Sequence, residues 1–234
     1  MDMSFISIVL IAIIAVIGIA YVLMQRNSVT KLNNALKSKN YEEVMTIAQT
    51  ATAQRFLGKD NCSLYYLKAC YLGRGKEATK NELRTFLQSD VKVETKEKVL
   101  DVYFHIYLHS NEREFCDELL KYMDGYIGPM FYRYHKWAYD VILDKNPNHI
   151  EEIEDAINHN ELTGFALGIG TFMIGMSYYI KEDFEIAREW TYTAIDTFLP
   201  DNMYHEKAKK ITNELTKIIG DDKYIVWYLL SSND

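Results

Sequence analysis

The chain has 234 residues, of which 48% are hydrophobic and 25% are charged, a balance that excludes a wholly disordered chain and a multi-span membrane protein. It contains only 11 Gly and 3 Pro, which disfavours sandwiches, barrels and nucleotide enzymes with glycine-rich loops, and favours long helices. The formal net charge of -7 argues against a general nucleic-acid binder, because neutralising phosphates needs surplus Lys and Arg.

Residues 5–24 form an apolar segment without a charged side chain, interrupted only by Ser7 and Gly18. As a helix, a segment of this length reaches ~30 Å, the thickness of the hydrocarbon core of a bilayer. The sequence therefore predicts a transmembrane anchor within residues 1–24, followed by a helical domain at residues 25–234. The alternatives are a cleaved signal peptide and a buried core helix. A signal peptide needs a basic start and a shorter apolar region, whereas no Lys or Arg precedes this segment.

Four basic residues follow the apolar segment closely: Arg26, Lys31, Lys37 and Lys39. Short flanks rich in Lys and Arg stay on the cytoplasmic side of a membrane. We therefore expect a single-pass protein of the cell membrane whose helical domain faces the cytoplasm. In the alternative orientation the domain lies outside.

The cysteine pattern agrees with a reducing compartment. The chain has 3 cysteines, so at least one is unpaired. Cys62 and Cys70 are eight residues apart on one predicted helix, about 12 Å by helical rise, which is beyond the reach of a disulfide. The sequence therefore predicts reduced thiols.

From residue 25 onward, apolar residues recur at intervals of three and four, which is typical of amphipathic helices. Turn signals rich in Gly, Asn, Asp and Pro separate helix-sized segments. They lie at residues 39–40, 58–61, 73–75, 110–111, 124–125, 145–148, 158–160, 181–183, 200–201 and 220–221. The pattern predicts an all-α protein.

One pair of predicted helices carries small and aromatic residues at fixed offsets. They are Gly175, Tyr178, Phe184, Ala187 and Ala194. The last four follow the glycine after three, nine, twelve and nineteen residues, and this segment, residues 168–201, resembles the tetratricopeptide repeat. In that family such small residues let the two helices of a hairpin approach closely, so the resemblance assigns a packing role to Gly175, Tyr178, Ala187 and Ala194.

A weaker match occupies residues 25–58, and further units follow the same register. The implied units start near residues 25, 62, 97, 131 and 168, a spacing of about 34 to 37 residues that agrees with the tetratricopeptide period. The resemblance implies an α-solenoid of about five hairpins. A terminal pair of helices, at residues 202–219 and 221–231, would cap it with a solvated face.

The same resemblance implies a concave groove lined by the first helix of each hairpin. The partner-binding residues predicted from it are Tyr66, His105, Tyr132, His135, Tyr139, Phe172, Met176 and Tyr179. Aromatic and Met side chains suit an apolar or amphipathic helix or an extended peptide. Packing between repeats is the alternative for any one of them.

Catalytic motifs are missing from the sequence: there is no GxGxxG, GxxxxGK[ST], HExxH, GxSxG or CxxC. A series of glycines, Gly164, Gly168, Gly170 and Gly175, lies inside an apolar helical stretch, and close helix packing is the favoured interpretation over a ligand-binding segment. We predict no catalytic residue, no cofactor and no resident metal.

His105 and His109 are candidate metal ligands, because they are four residues apart on one predicted helix. Two imidazoles at this spacing can reach one metal ion, with Glu112 or His135 as a third ligand. The favoured interpretation is an ordinary pair of histidines in an aromatic helix. A metal-binding sensor or enzyme remains the alternative.

Charge is distributed unevenly along the chain. Residues 25–98 contain 14 Lys and Arg against 8 acids, a net charge of +6, while residues 99–234 contain 12 against 24, a net charge of -12. Anionic head groups attract a basic surface next to a membrane. The acidic half is either a solvated surface or a surface for a basic partner.

These features together predict a non-enzymatic, membrane-tethered scaffold or adaptor that binds a protein or peptide partner at the cytoplasmic face. Tethering would raise the local concentration of that partner at the bilayer. The alternatives are an envelope-facing assembly factor with its domain outside, and the metal-binding sensor or enzyme.

Overall fold

The structure is a computed structural model that describes residues 3–200 and 202–220. Over these residues the chain forms eleven helices and no strand, which confirms the all-α prediction for that part of the chain. The helices are α1 (Met3–Lys37), α2 (Tyr41–Gln49), α3 (Ala51–Leu57), α4 (Lys59–Gln88), α5 (Val93–His109), α6 (Arg113–Tyr126), α7 (Pro129–Ile142), α8 (Ile150–Asn158), α9 (Gly164–Ile180), α10 (Phe184–Thr197) and α11 (Met203–Ile219). The second helix of the predicted capping pair, at residues 221–231, lies outside the described residues.

Five of the predicted turns end their helices with a residue in the left-handed region of the backbone. These residues are Lys39, Asn111, Lys145, Asn160 and Glu182, with φ between 55° and 63°. A single left-handed residue satisfies the last carbonyls of a helix and reverses the chain. The polar turn signals therefore mark the helix ends correctly, although only two of these five residues are Asn.

The chain divides into two compact units, and the boundary lies between Val99 and Leu100. The sequence predicts one repeat domain over residues 25–234, whereas the structure divides that range inside α5. The division coincides with the change of charge along the chain, from +6 over residues 25–98 to -12 over residues 99–234. Each unit is therefore dominated by one sign of charge.

The first unit is built around the end of α1. Leu32 and Ala35 of α1 are buried against Val44 and Ala48 of α2, and α2 in turn packs on α4 while α1 packs on α3. Such burial of apolar side chains contributes about 1.5 to 3 kcal/mol for each large side chain. The last turns of α1 are therefore part of the core of this unit.

The predicted turn at residues 73–75 is a kink inside α4 rather than a loop. Gly75 has φ 83° and ψ -179°, a backbone conformation that strongly favours glycine, and it divides α4 into two helical segments. The hydroxyl of Thr79 donates a hydrogen bond to the Gly75 carbonyl oxygen at 2.8 Å. The two segments of α4 take the place of a helical hairpin.

The second unit is organised around α9, which packs on α7, α8 and α10, while α10 also packs on α11. Three of the four glycines in the apolar series lie at close contacts. A Cβ atom on Gly168 would lie 2.5 Å from the ring of Phe198, and one on Gly170 would lie 2.8 Å from Leu162. One on Gly175 would lie 2.7 Å from Cγ2 of Thr191. These three glycines pack closely, whereas Gly164 begins α9 with φ 54° and has open space around it.

Within the described residues, α1 is the one helix that is long and apolar enough to cross a membrane. Its length and composition are those of a membrane span or of a signal sequence. The side chains at residues 9–24 are exposed to solvent, whereas Leu32 at the other end of the same helix is fully buried. The exposed apolar surface therefore stops where packing with the first unit begins.

The three cysteines Cys62, Cys70 and Cys116 are buried, and none of them forms a disulfide. This agrees with the prediction of reduced thiols. Burial in apolar surroundings raises the pKa of the Cys62 thiol, so this thiol stays protonated near neutral pH.

Candidate functional site

The interior of the second unit contains a cluster of polar rings, which we call the histidine cluster: His105 on α5, His135 on α7 and Tyr204 on α11. Their side chains are almost inaccessible, with 1%, 0% and 0% of their surface exposed. Buried polar rings need hydrogen-bond partners, because each unsatisfied group costs roughly 1 to 3 kcal/mol. The partners of these three rings therefore determine their protonation.

Tyr204 and His105 form a hydrogen bond across 99 residues of sequence. The distance between the Tyr204 hydroxyl oxygen and Nδ1 of His105 is 2.7 Å. Burial raises the pKa of Tyr204 well above its ordinary value, so the hydroxyl stays protonated and donates a hydrogen bond to Nδ1. Burial also lowers the pKa of His105 well below 6.5, and the nearby rings of His135 and His109 lower it further. His105 is thus neutral and carries its proton on Nε2, which is buried without a hydrogen-bond partner.

His135 donates from Nδ1 to the carbonyl oxygen of Phe131 at 2.8 Å, one helical turn earlier. Its Nε2 lies 3.4 Å from Oδ1 of Asp101, and that oxygen also accepts a hydrogen bond from the Tyr134 hydroxyl. The hydrogen bond to the Phe131 carbonyl oxygen favours a charged imidazole, but complete burial outweighs it and lowers the pKa of His135 to about 3. His135 is therefore neutral as well.

Aromatic side chains surround the two histidines closely. The imidazole rings of His105 and His135 stack with centroids 5.1 Å apart, and the rings of Phe104, Phe165 and Tyr204 meet that of His105 edge-on. Such edge-on and offset contacts are the preferred arrangements of aromatic rings. The cluster is packed like a protein core, and this arrangement suits a structural role.

The structure does not assemble a metal site from the predicted histidine pair. The ring of His109 faces that of Tyr204, with centroids 4.8 Å apart, and Nδ1 of His105 is already occupied by the same tyrosine. Within the residues that the structure describes, no group of three or more His, Cys, Asp and Glu side chains could hold a metal ion.

The structure separates the predicted groove residues into two sets. His105, His135, Tyr139 and Phe172 are buried, so they offer no surface to a partner. Tyr66, Tyr132, Met176 and Tyr179 are partly exposed. The physical reason for burial is α11, which lays the ring of Tyr204 against His105 and Phe172 and so covers the inner face of α5 and α9. The repeat pattern predicts only a capping role for α11.

Tyr66, in the first unit, lines a cavity of about 190 Å³ together with Cys62, Leu67, Glu82 and Phe86. Burial raises the pKa of its hydroxyl, and the neighbouring Glu82 carboxylate raises it further. The Tyr66 side chain is therefore a neutral, half-buried donor at the edge of this cavity.

Where α11 crosses α5, α7 and α9, the second unit contains a cavity of about 270 Å³, which we call the lysine pocket. Its apolar lining is Ile142, Phe172, Met176 and Ile211, and its polar lining is His109, Lys145, Lys207, Lys210 and Glu214. Met176 is a predicted groove residue that is partly exposed, so part of the predicted surface remains accessible here.

Lys207 and Lys210 are pocket residues that sequence reasoning does not identify as a site. Both lie in the segment of residues 202–219, which is predicted as a capping helix with a solvated face. Their spacing of three places them on one face of α11, together with Ile211. The signal that could have identified them is this mixed basic and apolar face within the acidic half of the chain.

Comparison with protein-family models, with curated proteins and with solved structures found no match to this chain. The resemblance to the tetratricopeptide repeat therefore rests on the residue spacing alone.

Proposed function

We propose that this chain is a membrane-tethered scaffold whose tetratricopeptide-like helical domain binds a protein or peptide partner at the cytoplasmic face of the cell membrane. One observation carries the tethering: α1 is exposed and apolar over residues 9–24, and the same helix continues into the core of the first unit at Leu32 and Ala35. A span that continues directly into a packed core fixes the domain to the bilayer without a flexible linker.

The continuity of α1 favours a retained span over a signal sequence. A signal peptide is removed after a short apolar region at a small-residue cleavage site. Here the helix runs without interruption through Met24 to Lys37, and Ser28 is already buried on it. Between Met24 and Lys37 the helix has no break at which the apolar part would be separated.

Tyr21 supports a membrane boundary near the end of the exposed apolar segment. Its ring lies 5.2 Å from that of Phe56 on α3, and both side chains retain exposed surface. Tyr and other aromatic rings favour the interface between hydrocarbon and water. The exposed basic residues Arg26, Lys31 and Arg55 lie on the same two helices, where anionic head groups would attract them.

The helix positions support a hairpin repeat. The helices α4, α5, α7 and α9 begin at residues 59, 93, 129 and 164, at intervals of 34, 36 and 35 residues. These intervals agree with the tetratricopeptide period. Each of these helices is followed along the chain by a second helical segment, which in α4 comes after the kink at Gly75. The helices α9 and α10 pack closely on each other.

The partner surface that we propose lies in the second unit and consists of the predicted residues that remain accessible there, Tyr132, Met176 and Tyr179. Tyr66 of the first unit is also partly exposed, and it is a separate candidate contact. Tyr and Met side chains are enriched at the centres of protein interfaces. Tyrosine in particular supplies a large contact area at a low cost in side-chain entropy.

A photo-crosslinking amino acid placed at Tyr132 or Tyr179 should trap a discrete protein partner in the membrane fraction of cells. The matched control is Tyr126 at the end of α6, which is 72% exposed and outside the predicted groove. We expect crosslinked bands at Tyr132 and Tyr179 and none at Tyr126. Bands of equal intensity at all three positions, or none at any, would contradict the proposed surface.

A further inference from the structure

The lysine pocket has the two-part lining of a small-molecule site. Its floor is apolar, formed by Ile142 of α7, Phe172 and Met176 of α9, and Ile211 of α11. Its volume of about 270 Å³ corresponds to roughly nine water-sized groups at about 30 Å³ each. Ligand sites combine such apolar walls with a few placed polar groups. The pocket therefore suits a small ligand or a short apolar chain.

The rim of the pocket is basic, although the second half of the chain is acidic overall. Residues 99–234 contain 12 basic side chains against 24 acidic ones, yet Lys145, Lys207 and Lys210 all line this cavity. Among the described residues, no carboxylate forms an ion pair with any of the three amines. Lys207 is half-buried, and its pKa is lowered by burial and by the neighbouring Lys210. Three basic side chains line one cavity that contains the single carboxylate of Glu214, and this excess of positive charge favours binding of an anion.

His109 adds a hydrogen-bonding group to the same cavity. It lines the pocket, and its Nε2 is buried without a hydrogen-bond partner. Burial, together with the charges of Lys207 and Lys145, lowers its pKa to about 3, so the ring is neutral at physiological pH. A neutral imidazole can donate one hydrogen bond to a carboxylate oxygen.

The remaining lining favours an anion with a single charge. Glu214 contributes one negative charge to the pocket. The helices α5 and α7 end at His109 and Ile142, so both bring a carboxyl-terminal end, with its partial negative charge, to this cavity. These groups would repel a phosphate dianion more strongly than a carboxylate.

We propose that the lysine pocket binds a small aliphatic monocarboxylate, with the carboxylate held among Lys145, Lys207 and Lys210 and the chain lying on the apolar floor. This inference rests only on the geometry of the second unit, so the inference does not depend on the proposed scaffold function. Octanoate, with about ten non-hydrogen atoms, matches the size of the cavity and is the probe of choice.

The test is calorimetric titration of octanoate into the full chain held in phosphatidylcholine nanodiscs, with the heat from empty nanodiscs subtracted. We expect saturable binding at one equivalent. Octanol, which has the chain without the charge, and acetate, which has the charge without the chain, should each bind at least about tenfold more weakly. Binding of inorganic phosphate that is tighter than that of octanoate would overturn the assignment of a monocarboxylate.

Substitutions of the lysines at the rim test whether octanoate binds in this pocket. Lys207→Gln combined with Lys210→Gln should weaken octanoate binding about tenfold or more, because it removes two charged partners. Lys145→Gln, at an exposed turn residue, should weaken it in the same direction. The matched control is Lys209→Gln, an exposed neighbour on α11 that does not line the cavity and faces Glu206 at 4.0 Å. If Lys209→Gln weakens binding as much as the rim variants do, or if none of them weakens it, the proposal fails.

Discussion

Replacing Gly175 with Leu should lower the melting temperature of the full-length chain by roughly 6 to 12 °C. A Cβ atom at this position would lie 2.7 Å from Cγ2 of Thr191 and 3.0 Å from its backbone nitrogen. The Ala187 carbonyl oxygen would lie at 3.3 Å. Since backbone atoms cannot rotate away as side chains do, α9 and α10 would have to separate. Overpacking of this kind costs up to about 3 kcal/mol, and each kcal/mol shifts the midpoint by about 2 to 4 °C.

The control for this variant is Gly125→Leu, the same chemical change near the end of α6. Gly125 is exposed, and a Cβ atom there would meet nothing within 4 Å. Leucine has a higher helix propensity than glycine by up to about 1 kcal/mol, so this variant should melt at the same temperature or higher. The measurement is thermal circular dichroism of both variants in one detergent. A Gly175→Leu protein that melts no lower than Gly125→Leu would contradict the packing of α9 on α10.

Acidification from pH 7 to pH 5 should lower the free energy of unfolding by about 4 kcal/mol or more. The pKa values of His135 and His109 in the folded chain are about 3 and that of His105 is well below 6.5, while all three are near 6.5 when the chain unfolds. The unfolded state therefore binds more protons, so stability is complete above about pH 6.5 and is lost as the pH falls towards 3. At pH 5 His135 and His109 each contribute about 2 kcal/mol of this loss, and His105 acts in the same direction.

Two variants test whether the loss of stability at low pH comes from the buried histidines. His135→Phe keeps an aromatic ring between Phe104 and Phe131 and should reduce the pH dependence by about one proton. His159→Asn is the control, because His159 is exposed and its pKa is raised by the Asp155 carbonyl and carboxylate. Its loss should leave the acid response in place. Chemical unfolding at several pH values between 5 and 7.5 measures both, and a stability that is flat over this window would contradict neutral buried histidines.

Local features of the fold could be predicted from the sequence because they depend on neighbours along the chain. The turn residues, the apolar segment and the spacing of Gly175 from Ala187 act within one helix or one hairpin. The structure places Gly175 against α10, with Thr191 as its nearest neighbour rather than Ala187. The residue spacing indicated that the two helices approach closely, but not which side chain lies nearest.

The site could not be predicted in the same way, because it depends on contacts between distant residues. Tyr204 binds His105 across 99 residues and covers the surface that the repeat pattern predicted as a groove. The lysine pocket likewise needs Lys145 from the turn after α7 and Lys207 from α11. No periodicity along one helix reports that α11 packs there.

The most direct test of the tethered, cytoplasmic arrangement is labelling of a single introduced cysteine, Asp124→Cys, with a membrane-impermeant maleimide. Asp124 is exposed on α6, and the native Cys62, Cys70 and Cys116 are buried, so they contribute little background. We predict that the protein stays in the membrane fraction at the mass of the uncleaved chain and is labelled only after the cells are permeabilised. Labelling of intact cells, or a shorter chain that has lost residues 1–24, would contradict the account.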